Sequence, residues 1–215
     1  MLLHLMLKDL LIIKKYVLLG LLVAIFVPPF LLWRNPELAA ALGPIFSSVF
    51  GTFMPLMYLG EKENKYTNAT QLLAATPYSR KWMVASKYLI SLLIFGTCTL
   101  IFWVETLLFP SLGHFNGPLE AVLFMMTALF LSIYWPLYYK IGYDNTKYSF
   151  VFVIMATPIL TGAIDQMPQL RTSILSLMTT LTPPVFFTSL IAVSFILLII
   201  SAYLSIRVYN RADLI

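Results

Sequence analysis

Six apolar stretches, each close to the length needed to cross a hydrocarbon core, dominate this chain and leave little choice of fold. A helix rises 1.5 Å per residue, so about 20 residues cover a core of roughly 30 Å while pairing every backbone polar group internally. The stretches are 16–33, 38–59, 88–109, 119–139, 148–164 and 185–206. They predict an all-α polytopic membrane protein with six transmembrane helices, built as one transmembrane domain over residues 1–215. Composition agrees: 60% of the residues are hydrophobic and 11% are charged. Soluble domains use about 25% charged residues, so this chain cannot be clothed for water.

The cations fix the expected orientation, because Lys and Arg are retained on the cytoplasmic side of a membrane. Lys8, Lys14, Lys15, Lys62, Lys65, Arg80, Lys81, Lys87, Lys140, Lys147, Arg207 and Arg211 fall on one side when the six stretches alternate. Only Arg34 and Arg171 fall on the other. Both termini are therefore expected in the cytoplasm. The basic residues sit at the ends of apolar runs and form no single patch, which excludes nucleic acid as the reason for the basic excess. Met1–Tyr16 has its lysines after its apolar residues, the reverse of a secretory signal, and is expected to be retained. The single cysteine, Cys98, lies inside an apolar run and offers no disulfide framework.

Three segments outside the stretches carry further information. In Met1–Lys15, His4, Lys8 and Lys15 recur at helical spacing beside an apolar majority, which predicts a helix lying in the membrane interface; a cytoplasmic extension of the first span is the alternative. The inner connection 60–87 is far longer than the two to eight residues usual between neighbouring helices. Within it Asn68 can cap a short helix through Gln71 and Thr76, Pro77 ends that helix, and Ser79 can cap the next. A compact helix held below the membrane reads as a docking element for a cytoplasmic partner. In the outer connection, 165–184, Leu170, Ile174, Leu177 and Leu181 share one helical face, predicting an amphipathic outer helix.

Catalytic constellations are absent from the sequence. No Gly-rich loop ends in Lys-Ser or Lys-Thr, no paired histidines stand one turn apart, and no Gly-x-Ser-x-Gly elbow occurs. His4 and His114 are expected on opposite sides of the membrane. Among acids inside the stretches, Glu105 is the main candidate for function, since an ionisable group in a bilayer is costly. It can line a polar cavity together with Glu120, or reach to the outer interface. Glu120 follows Gly117 and Pro118, and a carboxylate in a first helical turn is stabilised by the helix dipole, which is its simpler explanation. Pro28, Pro29, Gly43, Pro44, Gly51 and Pro55 permit kinks and close helix approach.

Four segments, in this order and on these sides, carry a resemblance. They are Leu7-Lys8-Asp9-Leu10, Gly60-Glu61-Lys62-Glu63-Asn64-Lys65, Thr76-Pro77-Tyr78-Ser79-Arg80-Lys81 with Ser86-Lys87-Tyr88-Leu89, and Trp135-Pro136-Leu137-Tyr138-Tyr139-Lys140-Ile141-Gly142. The chain resembles, over nearly its whole length, the small membrane subunits of bacterial ATP-binding-cassette exporters of the type 2 permease class. The resemblance implies a multi-pass subunit of the bacterial plasma membrane, with no enzyme activity of its own. It implies a coupling helix, carried by Thr67, Asn68, Thr70, Gln71, Leu72, Leu73, Thr76 and Pro77, that fits a cleft in a separate ATPase subunit. Two ATPase subunits would bind ATP and magnesium, with no cofactor on this chain. A second membrane subunit, identical or homologous, would complete a path around the first, second and fifth spans. The branch that exports amphipathic peptides such as phenol-soluble modulins is the nearest, and Met and aromatic residues suit such cargo. Two other readings stand beside this one: a self-contained channel or secondary carrier built on an inverted repeat, and a membrane assembly protein with no transport role.

Overall fold

The computed structural model describes residues 2–34, 39, 42–65, 79–112, 117–146, 148 and 183–211. Among them are five helices long and apolar enough to cross a membrane. They are α1 (Leu2–Arg34), α2 (Leu42–Lys65), α3 (Arg80–Leu108), α4 (Gly117–Ile141) and α5 (Pro183–Arg211). The described residues contain no strand. The expected fifth span beyond Tyr148, the outer helix as far as Thr182 and the coupling helix from Thr67 to Pro77 lie outside the described residues.

Contacts gather five helix ends into one place. Ser86 near the start of α3 meets Asp9 of α1, Lys87 meets Glu63 near the end of α2, Tyr138 near the end of α4 reaches Glu63, and Arg80 reaches Tyr209 near the end of α5. Most of the chain's lysines and arginines lie around this end, here called the basic end. α4 and α5 both finish there. α5 also begins beside the start of α4: a Cβ on Gly117 would lie 3.6 Å from the Phe187 ring. Ile141 and Pro183 therefore stand at opposite ends of the bundle.

The segment Met1–Lys15 corrects one expectation. From Leu2 it runs without a break into the first span, as one helix of 33 residues. The reason is a single stripe of buried positions, Leu5, Asp9, Ile13, Gly20, Ala24 and Pro28, that follows the helical repeat across the junction at Lys15. A bend there would carry Leu5 and Asp9 off the bundle, so the extension is the form adopted and a separate interfacial helix is not.

The inner connection is also shorter than the expected 60–87. α2 continues to Lys65 and α3 starts at Arg80, leaving 66–79 between them. The charged strip is thus the last turn of α2, where Lys65 donates to Glu61 one turn back at 2.7 Å. Ser79 takes the N-cap position with extended backbone (φ −68°, ψ 139°), as expected, although its side chain makes no capping bond; its carbonyl instead accepts from the Trp82 N–H at 3.0 Å.

α3 is the central helix. Val84, Lys87, Ser91, Ile94, Cys98, Phe102 and Glu105 are all buried along one stripe of it. α4 and α5 pack through serines: Ser194, Ser201 and Ser205 are buried with Leu198, letting two backbones approach as small residues do in membranes. One of these contacts has a specific cause. Pro136 has no N–H for the carbonyl of Ser132 four residues back, and Ser201 Oγ of α5 donates to that carbonyl at 2.9 Å.

Candidate functional site

The functional candidates occupy two levels of the bundle. The level away from the basic end is built around an irregularity in α2, where Ile45–Phe50 forms a π-helical turn and the Gly51 N–H reaches back to the Phe46 carbonyl. Such wide turns loosen the helical ladder and occur often at functional sites. Here the loosening turns buried hydroxyls toward neighbouring helices. Ser47 Oγ donates to the Cys98 carbonyl of α3 at 3.3 Å, and Ser48 Oγ donates to Glu120 Oε2 of α4 at 3.2 Å. Thr99 Oγ1 of α3 donates to Ser48 Oγ at 3.5 Å, and Thr52 Oγ1 donates to the Ser48 carbonyl at 2.6 Å.

Glu120 therefore does more than face the α4 dipole. It stands in the first turn of α4 as expected, but it is buried and tied across the bundle to Ser48. Its Oε1 has no partner among the described residues. Glu105 in α3 is 5% exposed, and neither of its oxygens has a partner among the described residues. Unpartnered buried carboxyl groups cost several kcal/mol, of order 1–3 kcal/mol or more per group, so stability alone does not explain them. The coupling residues Thr67, Asn68, Thr70, Gln71, Leu72, Leu73, Thr76 and Pro77 lie outside the described residues.

Beside the π turn, α1 and α2 enclose a groove of about 490 Å³. Val23 and Val27 form one wall; Phe46, Phe50, Phe53, Met54 and Met57 form the other, with Glu61 toward the basic end. The groove lies beside the seam along which the two helices pack, a seam that includes the stacked Tyr16 and Tyr58 rings and is tightest at one point. At that point Gly20 and Gly51 face each other, and a Cβ on Gly20 would lie 2.7 Å from the Gly51 carbonyl oxygen.

The second level is the basic end. Lys87 of α3 pairs with Glu63 of α2, and both side chains are nearly buried. Tyr138 of α4 donates its hydroxyl to Glu63 Oε2 at 3.1 Å. The Lys87 ammonium lies 5.2 Å from the Trp135 ring centroid and 5.9 Å from that of Tyr138, within cation–π range. On the α1 side, Ser86 Oγ donates to Asp9 Oδ2 at 3.4 Å, while Lys8 pairs with Asp9 Oδ1 at 2.8 Å. On the α5 side, the Tyr88 hydroxyl meets Ser201 at 2.7 Å and Ser205 at 2.9 Å. Arg80 Nη1 donates to the Tyr209 carbonyl at 3.1 Å and lies over the Tyr209 ring.

Sequence reasoning did not find this cluster. Its cations read singly as topology signals, and Asp9, Glu63 and the aromatic run Trp135, Tyr138 and Tyr139 read only as parts of the segments that carry the family resemblance. The available signal was Lys87 itself, seven residues into a helix whose next turns are apolar, where a lysine needs a partner.

Long apolar helices joined by buried polar contacts, with a groove and buried acids inside the bundle, define a multi-pass membrane protein. The chain belongs to the ABC-2 family transporter proteins, whose model matches residues 4–210, nearly its whole length. No curated protein and no solved structure matches it.

Proposed function

We propose that this permease is the membrane subunit of an ATP-driven exporter, working with a separate ATPase and moving amphipathic compounds, amphipathic peptides foremost. The observation that carries the reading is the groove between α1 and α2 in a chain of this transporter family. Its lining is apolar and deformable. Two methionines and three phenylalanines accept irregular apolar shapes, as flexible Met-rich surfaces do elsewhere. Glu61 at one end, held by Lys65 only in a solvent-screened surface pair, can exchange that cation for a cationic group on the same cargo. Glu105 and Glu120 extend the polar part of the route toward the opposite end of the bundle.

The basic end is the cytoplasmic end, by the retention of Lys and Arg on that side. The opposite placement of Ile141 and Pro183 supports a reading in which the segment between them crosses the membrane an odd number of times, as six spans with both termini inside would need. The ATPase, present in two copies and holding ATP and magnesium, docks on the 66–78 connection through Leu72 and Leu73. A second membrane subunit completes the path. Burial of each leucine in a partner groove would contribute roughly 1.5–3 kcal/mol.

The test is co-expression with an ATP-binding-cassette ATPase encoded beside this chain's gene and purification on a tag carried by this chain. Retention of the ATPase by the wild type, and its loss in the double variant Leu72→Asp and Leu73→Asp while the helices still insert, is the expected result. Retention unchanged in the double variant would move the docking element away from this segment, and a wild type that retains no ATPase would defeat the exporter reading.

A further inference from the structure

We propose that the Glu63–Lys87 pair and the aromatic box around it form the joint that passes motion of the 66–78 connection to α4 and α5, with Glu63 and Lys87 as positioning residues for coupling. The inference rests on the reading of this chain as an ATPase-coupled permease.

The pair closes the root of the connection. Glu63 stands two residues before the end of α2 and Lys87 seven residues into α3, so the two helix ends that flank 66–79 are fastened to each other. A push on an unfastened connection would be absorbed by splaying those ends. A push on this one must move α2 and α3 together.

The same two residues are the points of attachment for α4. Glu63 Oε2 accepts from Tyr138, and Lys87 lies against the Trp135 and Tyr138 rings. The neighbours of Lys87 extend the joint: Ser86 binds Asp9 of α1 and Tyr88 binds Ser201 and Ser205 of α5. Five helices therefore meet at one ion pair. Close packing enforces the junction, since a Cβ on Gly60 would lie 2.7 Å from the Tyr134 hydroxyl and 3.0 Å from the Tyr143 ring.

Stability is a poor explanation for the pair. Two buried charges recover their desolvation cost only in part, and apolar replacements of the same volume are often as stable or more so. A second observation points to movement. The Tyr134 hydroxyl, the Trp135 Nε1–H and the Tyr139 hydroxyl are buried beside the pair with no partner among the described residues. Three such groups in one box are unusual for a resting core, where nearly all buried polar groups are bonded. They supply the partners of a second arrangement, in which the Glu63 carboxylate leaves Tyr138 and accepts from a neighbouring hydroxyl as α4 shifts. A joint with two discrete bonding patterns is what coupling between distant sites requires.

The experiment uses the full complex of this chain with its ATPase in lipid nanodiscs. Spin labels are placed at the exposed positions Leu22 on α1 and Ile199 on α5. The label distance is measured with and without ATP and magnesium, beside ATPase retention and the melting temperature of each variant. Glu63→Gln keeps shape and removes charge; Tyr138→Phe keeps the ring and removes only the hydroxyl. Wild type should show an ATP-dependent change of distance. Both variants should keep ATPase retention yet lose most of the shifted population, at least about fivefold as coupling energies of this size imply. Tyr138→Phe should do so at an unchanged melting temperature, whereas Glu63→Gln, which leaves the buried Lys87 ammonium unpaired, should also lower it. An undiminished shift in both variants overturns the proposal. So does a shift that falls only in step with a lower melting temperature, which would make the pair structural. A wild type that binds no ATPase is separate: it defeats the exporter reading, and this inference with it.

Discussion

Gly20→Ala tests the close approach of α1 and α2 beside the groove. The new Cβ would lie 2.7 Å from the Gly51 carbonyl oxygen and 3.0 Å from Pro55 Cγ. Ordinary contact begins at 3.4 Å, so α1 and α2 must separate by up to 0.7 Å at this point, the difference of 3.4 and 2.7. Neither neighbour can yield alone, since one is backbone and the other a proline ring. Overpacking of this kind costs about 1–3 kcal/mol. Alanine, however, also favours the helix over glycine by about 0.8–1.0 kcal/mol, which would mask part of the loss.

Gly96→Ala removes the ambiguity, because Gly96 lies within a helix and a Cβ there meets nothing within 4 Å. It should be neutral or slightly stabilising. The difference between the two variants cancels propensity and leaves the close-approach cost, about 1–3 kcal/mol. Unfolding in mixed detergent micelles titrated with SDS, followed by Trp fluorescence, measures both. Gly20→Ala should in addition weaken binding of a fluorescent amphipathic peptide, since the groove begins at this seam. Equal stabilities for the two variants would refute the reasoning: α1 and α2 would not touch at Gly20.

Two further outcomes are expected. Cysteines introduced at Lys65 and Arg171 should behave oppositely in intact cells, the first shielded from an impermeant thiol reagent and the second labelled; labelling at Lys65 would reverse the orientation. Glu105→Leu should raise unfolding stability by about 1–3 kcal/mol by removing an unpartnered buried carboxyl group, while lowering peptide export; stabilisation with export intact would make Glu105 a packing accident and remove it from the route.

What the sequence made legible follows from which forces are local. The apolar runs, with their lengths and flanking cations, are properties of the chain itself, and five of the six appear among the described residues as long helices, some of them running past the expected limits. The exceptions are instructive. α2 runs past Leu59 to Lys65 because Glu63 has a buried partner on α3, and no window over 60–65 contains that partner. α1 begins at Leu2 because Leu5, Asp9 and Ile13 pack on other helices, again a tertiary cause. Glu105 and Glu120 were visible as costly acids, but only the structure shows that Ser48, on a π turn of another helix, is the group that binds Glu120. Gly43, Pro44, Gly51 and Pro55 signalled an irregular span without saying which side chains the irregularity would aim.

α2 is the element common to both levels of the site. Its π turn presents Ser48 to Glu120, its Phe and Met residues wall the groove, and its last turn carries Glu63 into the joint. Pro55 falls within the groove's stretch of α2: it has no N–H to bond the Gly51 carbonyl, so the ladder is broken midway along the groove, with Phe46 and Phe50 on one side and Met57 and Glu61 on the joint's side. A helix weakened at that point can tilt its two halves separately, at less cost than a continuous one. The seam at Gly20 lies against this same break. Motion arriving at Glu63 would then reach the groove as a change of angle at Pro55, with α1 as the fixed wall. On this arrangement Pro55→Ala, which restores the missing donor, should stiffen α2 and reduce export while raising stability by up to about 3 kcal/mol, the cost of proline inside a helix. Export that survives a demonstrably stabilised Pro55→Ala would show that α2 moves as one body and that the hinge is elsewhere.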